Sequence, residues 1–384
     1  MTVIIRSDPF DVISLAVVRS LGKKNIDFTV FSTNEKTLAN YSKYCKNSIV
    51  SFNEFDFFLK LSPDYMVYPM DENLMLQLSK NKKNLQCSLA FPEYPTLETV
   101  INKSRFIRHA IEHNVPCPQT VFIDRSEDIR NISTMPEFPV VLKPSAGSGG
   151  KGIRFINSFE EFRITGKRFF EKYGQFTIQE KIPFIHKYTV GVLCNADSKV
   201  RRACVIKEIR NYPVETGPAC YAETVYYPEL VKLSVKLMES LNYFGIADID
   251  FLVDARTGKP ILMEINPRFW GSLQVAINAG VDFPSLLFEL MKTGDIEKSF
   301  DYKTGVRCRH LVFDDILRLL SILRGHYSRS YKIKSITDFL TFHPEEGYFV
   351  CCLDDLNPFL HLIRKKINRV NRLMKITEGE INET

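Results

Sequence analysis

The stretch Leu262-Met263-Glu264-Ile265-Asn266-Pro267-Arg268, read together with Asp250 upstream, restricts the folds open to this chain more than any other. Residues 246–253 have the apolar, β-branched composition of a strand, residues 254–259 carry turn formers around Gly258, and residues 260–265 return as a second strand. A hairpin symmetric about Thr257 sets Asp250 opposite Glu264. Strand side chains alternate between faces, so Glu264 and Asn266 share one face and Asp250 joins them across the ladder. Two carboxylates and an amide oxygen make a hard oxygen set suited to Mg2+ held jointly with phosphates. An ordinary hairpin with a solvated acidic face would show the same pairing. It would not account for Asn-Pro-Arg running into Phe269-Trp270-Gly271-Ser272, which reads as a strand end entering a helix with a cation at the junction.

A glycine-rich loop precedes this hairpin. Residues 139–144 read as a strand, 145–152 as a loop, 153–156 as a second strand, 159–173 as a helix and 176–182 as a third strand. Gly147-Ser148-Gly149-Gly150-Lys151-Gly152 satisfies the G-x-G-x-x-G spacing, but a dinucleotide site needs a helix to start inside the loop, and here a strand follows. A Walker loop needs Gly-Lys-Ser/Thr at its end, whereas Ile153 follows Gly152. What fits is a hairpin over phosphates, where missing side chains let backbone N–H groups approach the anion; a plain surface turn is the alternative. Lys143, on the strand entering the loop, is placed to neutralise phosphate as a point charge. Gln179-Glu180-Lys181-Ile182 ends a strand whose backbone suits an adenine edge, with Glu180 near the ribose, or is simply an exposed strand end.

Residues 1–95 alternate short apolar strands (3–5, 28–31, 48–50, 65–68 and 88–91) with helical patterns, which argues for a parallel α/β domain. Such sheets bind ligands at the carboxyl ends of their strands. Ser7-Asp8-Pro9-Phe10 and Asp71-Glu72-Asn73 are therefore candidate site loops, with turn and helix-cap chemistry as the other reading.

The length of 384 residues leaves room for two or three domains, and a hydrophobic fraction of 45% supports a sizeable core. No apolar run approaches the roughly 20 residues a bilayer span needs, and the amino terminus enters a strand, so a soluble cytoplasmic protein is expected. The nine cysteines are scattered without a Cys-x-x-Cys pair, and their spacing indicates neither a disulfide framework nor a zinc site. A net charge of +6 is mild at this size and does not argue for nucleic acid.

The ordered set of Lys103, Val140-Val141-Leu142-Lys143-Pro144, the glycine loop, Gln179-Glu180-Lys181-Ile182, Asp250 and the stretch 262–272 resembles the ATP-grasp superfamily, in particular its predicted carboxylate-amine ligase branch with a preceding α/β domain. The resemblance covers about residues 1–300 and is specific for the superfamily rather than for a substrate. With the element pattern it implies an α/β and α+β chain: a parallel α/β domain at 1–95, a two-subdomain ATP-grasp fold at 96–300, and a helical carboxyl-terminal extension at 301–384. Residues 96–183 would form the lid and glycine-loop part, and 184–300 the metal and substrate part. The resemblance further implies ATP between the subdomains, with Lys103 and Lys143 on its phosphates and Gly147, Ser148, Gly149, Gly150, Lys151 and Gly152 as the lid. Gln179, Glu180, Lys181 and Ile182 would take the adenine, and Asp250, Glu264 and Asn266 would ligate Mg2+, or Mn2+ in its place. Many such ligases carry a ribose-binding carboxylate beyond the Glu180 position; here Lys187 stands there, which leaves ribose contact to Glu180.

The implied reaction phosphorylates a carboxylate with ATP and lets an amine attack the acyl phosphate, forming an amide with release of ADP and phosphate. Such transfer needs positioning and charge neutralisation rather than a protein nucleophile, and Arg268 would sit near the transferring group. Residues 207–218 read as an irregular substrate-side loop in which Arg210 binds a carboxylate or the acyl phosphate, or as a solvated strand end. Expected partners are a small carboxylic acid and an amine such as an amino acid, with a homodimer implied by the resemblance. A non-amine acceptor such as a thiol, or a non-catalytic ATP-binding module of a membrane-associated assembly, remains as an alternative.

Beyond residue 300, residues 314–323 and 359–376 look helical. The second segment sets Arg364, Lys365, Lys366, Arg369, Arg372 and Lys375 around Leu360, Ile363, Ile367, Val370 and Met374. Such a helix either packs on its own protein with a solvated basic face or binds an anionic membrane surface.

Overall fold

Three β-sheets order the chain in the computed structural model, which describes residues 1–365 except 10, 34, 133, 148–151, 215 and 216. The first sheet is parallel. Its strands β1 (Thr2–Arg6), β2 (Phe28–Ser32), β3 (Ser48–Val50), β4 (Tyr65–Val67) and β5 (Ser88–Leu89) lie in the order β3-β2-β1-β4-β5. Helices α1 (Val12–Lys23), α2 (Glu54–Leu59), α3 (Glu72–Lys80) and α4 (Tyr94–Ile101) alternate with these strands or follow them. The strand order reverses between β1 and β4, which places the crevice of this sheet at the segments that follow them. Both segments start helices with aspartates: Asp11 caps α1 by accepting from the Ile13 N–H, and Asp71 caps α3 by accepting from the Leu74 N–H.

Helix α5 (Lys103–Glu112), capped by Asn102, leads into the second sheet. There β6 (Thr120–Ile123), β7 (Val140–Pro144), β8 (Arg154–Ile156), helix α6 (Phe159–Tyr173) and β9 (Phe176–Glu180) form an antiparallel layer in the order β6-β9-β7-β8. Apolar residues of α6 and the strands, among them Phe162, Phe169, Leu142 and Ile178, close a separate core beneath it.

The third sheet carries the long strands β10 (Phe184–Cys194), β11 (Val200–Asn211) and β12 (Ala219–Thr224), helix α7 (Pro228–Ser240), and the hairpin β13 (Gly245–Asp254) and β14 (Pro260–Asn266). Helices α8 (Leu273–Asn278) and α9 (Phe283–Thr293) follow. Next come β15 (Arg307–Arg309), α10 (Ile316–Arg324), α11 (Arg329–Leu340) and β16 (Gly347–Tyr348), and the sheet order is β14-β13-β10-β11-β12-β15-β16.

Two expectations change here. The region beyond residue 300 is not purely helical, because β15 and β16 continue the third sheet. Strands this short show no periodicity, and the charged Arg309 in β15 is fully buried against Asp315 and Glu346. Residues 207–211 belong to β11 and are not an irregular loop. Their charges hide the alternation because polar groups on both faces of the strand are engaged.

The first and third sheets share one apolar core. Val3, Ile5 and Leu15 cluster with Trp270, Phe283 and Leu290 and with Phe349 and Leu362. The Tyr68 hydroxyl donates to the Pro284 carbonyl at 2.6 Å, and buried Arg19 pairs with Asp355 at 2.9 Å. Residues 357–365 are helical and lie on the protein itself, with Leu362 buried, His361 stacked on Tyr41 and Lys365 paired with Glu35 at 3.2 Å. Lys366, Arg369, Arg372 and Lys375 of the expected basic helix lie outside the described residues. Among the described residues no helix is long and apolar enough to cross a membrane.

Candidate active site

The hairpin register places Asp250 opposite Glu264 and Asp248 opposite Asn266. A one-residue irregularity between Asp250 and Phe251 shifts the turn half, so symmetry about Thr257 holds only for the half that carries the carboxylates. Thr189, beside Asp250 on β10, donates to Asp250 Oδ1 at 2.8 Å. Asn266 Nδ2 donates to Asp248 Oδ1 at 2.7 Å, an acceptor that fixes the amide orientation and leaves the amide oxygen for another partner.

Cations reach this cluster from three elements. The Lys103 N–H donates to the Ser145 carbonyl at 2.9 Å, docking the start of α5 on the end of β7, and Lys103 Nζ lies 3.3 Å from Glu264 Oε2. Lys143 on β7 feels both Glu264 and Lys103. The Leu262 N–H donates to the Pro116 carbonyl at 2.7 Å, tying β14 to the segment after α5. Arg268 Nε donates to Glu72 Oε1 at 3.0 Å and its Nη1 to the Phe269 carbonyl at 3.0 Å. In the loop after β4, Asp71 has the helix-cap role and Glu72 holds Arg268.

Electrostatics sharpen the assignment. Burial, then the charges of Asp248, Glu264 and Glu208, push the Asp250 carboxyl well above the carboxylate range. Burial also pushes Asp248 up to about 7, with Asn266 and Arg268 opposing and Glu264 and Glu208 adding to the rise. Glu264 is held low: burial would raise it, but Lys103, Lys143 and Arg268 outweigh that. Burial, opposed by Glu264 and reinforced by Lys103, brings Lys143 down to about 8. Crowded carboxyls next to crowded ammonium groups suit a divalent cation on the first set and a polyanion on the second. The donor chemistry of Asp250, Glu264 and the Asn266 oxygen therefore fits Mg2+. Asp248, Glu208 and Thr189 were not singled out by the sequence pattern, whereas Glu72 lies in a loop that it did mark. The alternation that picked Asp250 also selects Asp248, two residues earlier on the same face.

The remaining sequence candidates divide. Ser148, Gly149, Gly150 and Lys151 lie outside the described residues. Gly147 and Gly152 bound that segment with φ of +114° and +85°, and a Cβ at Gly152 would come within 2.8 Å of Pro144 Cγ, so both ends of the loop call for glycine. Gln179 is buried with Oε1 unpartnered, Glu180 Oε1 pairs with Arg256 at 2.6 Å, Lys181 sits over the Phe155 ring, and Ile182 is buried. Arg210 is not brought to the carboxylate hairpin. It is buried, with Nη2 on Asp315 at 2.7 Å, Nη1 on the Asp338 carbonyl at 2.9 Å and its guanidinium over Tyr221. Arg210→Ala is expected to destabilise the fold by on the order of 3 kcal/mol, read as a lower urea midpoint. Glu208, two residues earlier, is the β11 side chain that interacts with the hairpin carboxylates. Beside it opens a pocket of about 510 Å³ lined by Phe184, Lys187, Asn211, His326, Tyr327 and Tyr331, and Asn211 Nδ2 donates to Glu208.

Known proteins share this frame. Residues 102–290 match the family described as the carbamoyl-phosphate synthase L chain, ATP binding domain. The structure superposes on the biotin carboxylase domain of Hydrogenobacter thermophilus 2-oxoglutarate carboxylase, solved with MgADP and bicarbonate, with a TM-score of 0.64 at 16% identity, covering 80% of this chain and 73% of that one. It superposes equally, TM-score 0.64 at 14% identity and 80% coverage of both chains, on the ADP complex of N5-carboxyaminoimidazole synthetase from Staphylococcus aureus. The shared architecture is a parallel α/β sheet followed by a four-stranded antiparallel sheet and a seven-stranded, mainly antiparallel one. The chain carries an ATP-grasp domain at residues 102–290, and the parallel α/β sheet stands ahead of that domain. In sequence it is 31% identical over 169 residues to a putative urea carboxylase of Emericella nidulans, covering 40% of this chain and 13% of that protein. It is 26% identical over 227 residues to the D-aspartate ligase of Enterococcus faecium, covering 54% of each. The chain thus spans a small part of the carboxylases it matches and about half of the ligase.

Proposed function

We propose that this protein is an ATP-dependent, Mg2+-requiring carboxylate-amine ligase working through an acyl phosphate. The observation that carries this reading is the convergence on Glu264 of Asp250 across the hairpin, Lys103 at 3.3 Å, and the charges of Lys143 and Arg268. In this reading Asp250, Glu264 and Asn266 hold Mg2+, which when bound neutralises phosphate oxygens. Lys103 and Lys143 bind the phosphates. Gln179 to Ile182 line the adenine, and Arg268 stabilises the transferring phosphoryl group.

A carboxylate oxygen of the acid then attacks the γ-phosphorus, and the bond to the bridging oxygen breaks to release ADP. The amine nitrogen attacks the acyl carbon, loses a proton, and phosphate leaves as the amide forms. The pocket beside Glu208 is the candidate seat of the acid or amine, with Lys187 on its wall as a carboxylate partner. The 2-oxoglutarate carboxylase domain was solved as a dimer, and we extend that assembly to this chain, to be checked by sedimentation.

The test incubates the full chain with Mg2+ and ATP against pooled amines and pooled carboxylic acids, bicarbonate included, following ADP release and the product mass. One acid-amine pair should raise ADP release and yield an amide, with both lost on adding EDTA. MgATP at about a hundred times its Kd should add about 2.7 kcal/mol to stability. Binding without stimulated ADP release across the panel would defeat the ligase reading.

A further inference from the structure

A second metal-binding geometry lies on α5, outside the hairpin. His109, Glu112 and His113 each offer a ligand atom, and the three atoms lie within 4.8 Å of one another. The imidazoles are stacked, with centroids 4.1 Å apart, at the carboxyl-terminal end of the helix. That end carries partial negative charge and favours a cation.

The surrounding hydrogen bonds determine which ring nitrogens are available. His113 Nδ1 lies 2.9 Å from the His109 carbonyl, which can only accept, so Nδ1 carries the proton and Nε2 the lone pair. His109 Nε2 lies 2.9 Å from Ser240 Oγ on α7. Ser240 already gives its own proton to the Leu237 carbonyl at 2.8 Å, so His109 Nε2 donates and Nδ1 keeps the lone pair. In the neutral form each ring is held in one tautomer by the partner of its engaged nitrogen, as histidine ligands are in metal sites. The stacked rings turn apart to bring His109 Nδ1 and His113 Nε2 onto one ion. Glu112 is exposed and the histidines are half-buried, which leaves room for water as a further ligand.

We propose that His109, Glu112 and His113 bind a divalent transition-metal ion of the Zn2+ or Ni2+ class, at a site separate from the residues assigned to Mg2+. Two imidazoles and one carboxylate select such ions over Mg2+ and Ca2+, which prefer all-oxygen sets. The rise of an α-helix puts this site roughly 9 to 15 Å along the axis from Lys103. An ion here would therefore anchor the far end of the helix that delivers Lys103 to Glu264.

Ni2+ is the probe of choice, since it suits imidazole and the nine free cysteines would compete for softer ions. Calorimetric titration of the full chain with Ni2+, in excess Mg2+, should show one equivalent bound and a raised thermal midpoint. His113→Ala should weaken this binding at least about tenfold. Glu112→Gln alters only an exposed side chain and should weaken it measurably in a protein that melts like the parent. His109 also ties α5 to α7 and is left intact. Absence of binding at millimolar Ni2+, or unchanged affinity in both variants, would overturn the site.

Discussion

Glu264→Gln is expected to lower ATP turnover about 10²–10³-fold while leaving a folded protein. The substitution keeps the shape of the side chain and removes the charge that Lys103 contacts and that opposes the lowering of Lys143. It also removes a charge that raises Asp248, Asp250 and Glu208, so relief of that repulsion offsets the lost Lys103 contact. The melting midpoint without nucleotide should therefore move little, while the increment on adding MgATP shrinks. Measuring both midpoints with kcat separates loss of the site from loss of the fold. Turnover within a few-fold of the parent would remove Glu264 from the machinery.

Arg268→Ala should cost about 10²-fold or more in kcat with a smaller change in KM for ATP, as befits a group that meets charge developing in the transition state. Its guanidinium is aimed by Glu72 and the Phe269 carbonyl, and among the described residues Nη2 has no hydrogen bond. Lys at this position keeps the charge but not the fork, so Arg268→Lys should rescue little. Glu72→Gln tests the aiming: it leaves the cation in place and should lower kcat about tenfold, less than loss of the arginine itself. Equal effects of Glu72→Gln and Arg268→Ala on both constants would argue that the pair is structural.

Local pattern made much of this visible in the sequence. Strand alternation and turn chemistry placed Asp250 across from Glu264, and the five parallel strands announced themselves as apolar runs between helical patterns. What pattern could not supply was pairing between distant segments. Glu72 and Arg268 are separated by 196 residues, and nothing near either residue marks the other. Glu208 and Arg210 sit in a strand whose charges look like a loop, because each meets a charge from a distant segment: Glu208 that of Lys187, Arg210 that of Asp315. The three-residue and two-residue strands after residue 300 are too short for any period to register.

The core shared by the first and third sheets has a consequence for how such a site diverges. Glu72 lies outside the segment 102–290 that similarity identifies, yet it touches Arg268 inside it. In the proposed reading the parallel sheet walls one side of the site, and it is fastened to the third sheet's helices through Tyr68 to Pro284. Drift in its loops can therefore retune the chemistry while the recognisable segment stays unchanged. Comparisons confined to that segment will group together proteins whose selectivities are written elsewhere.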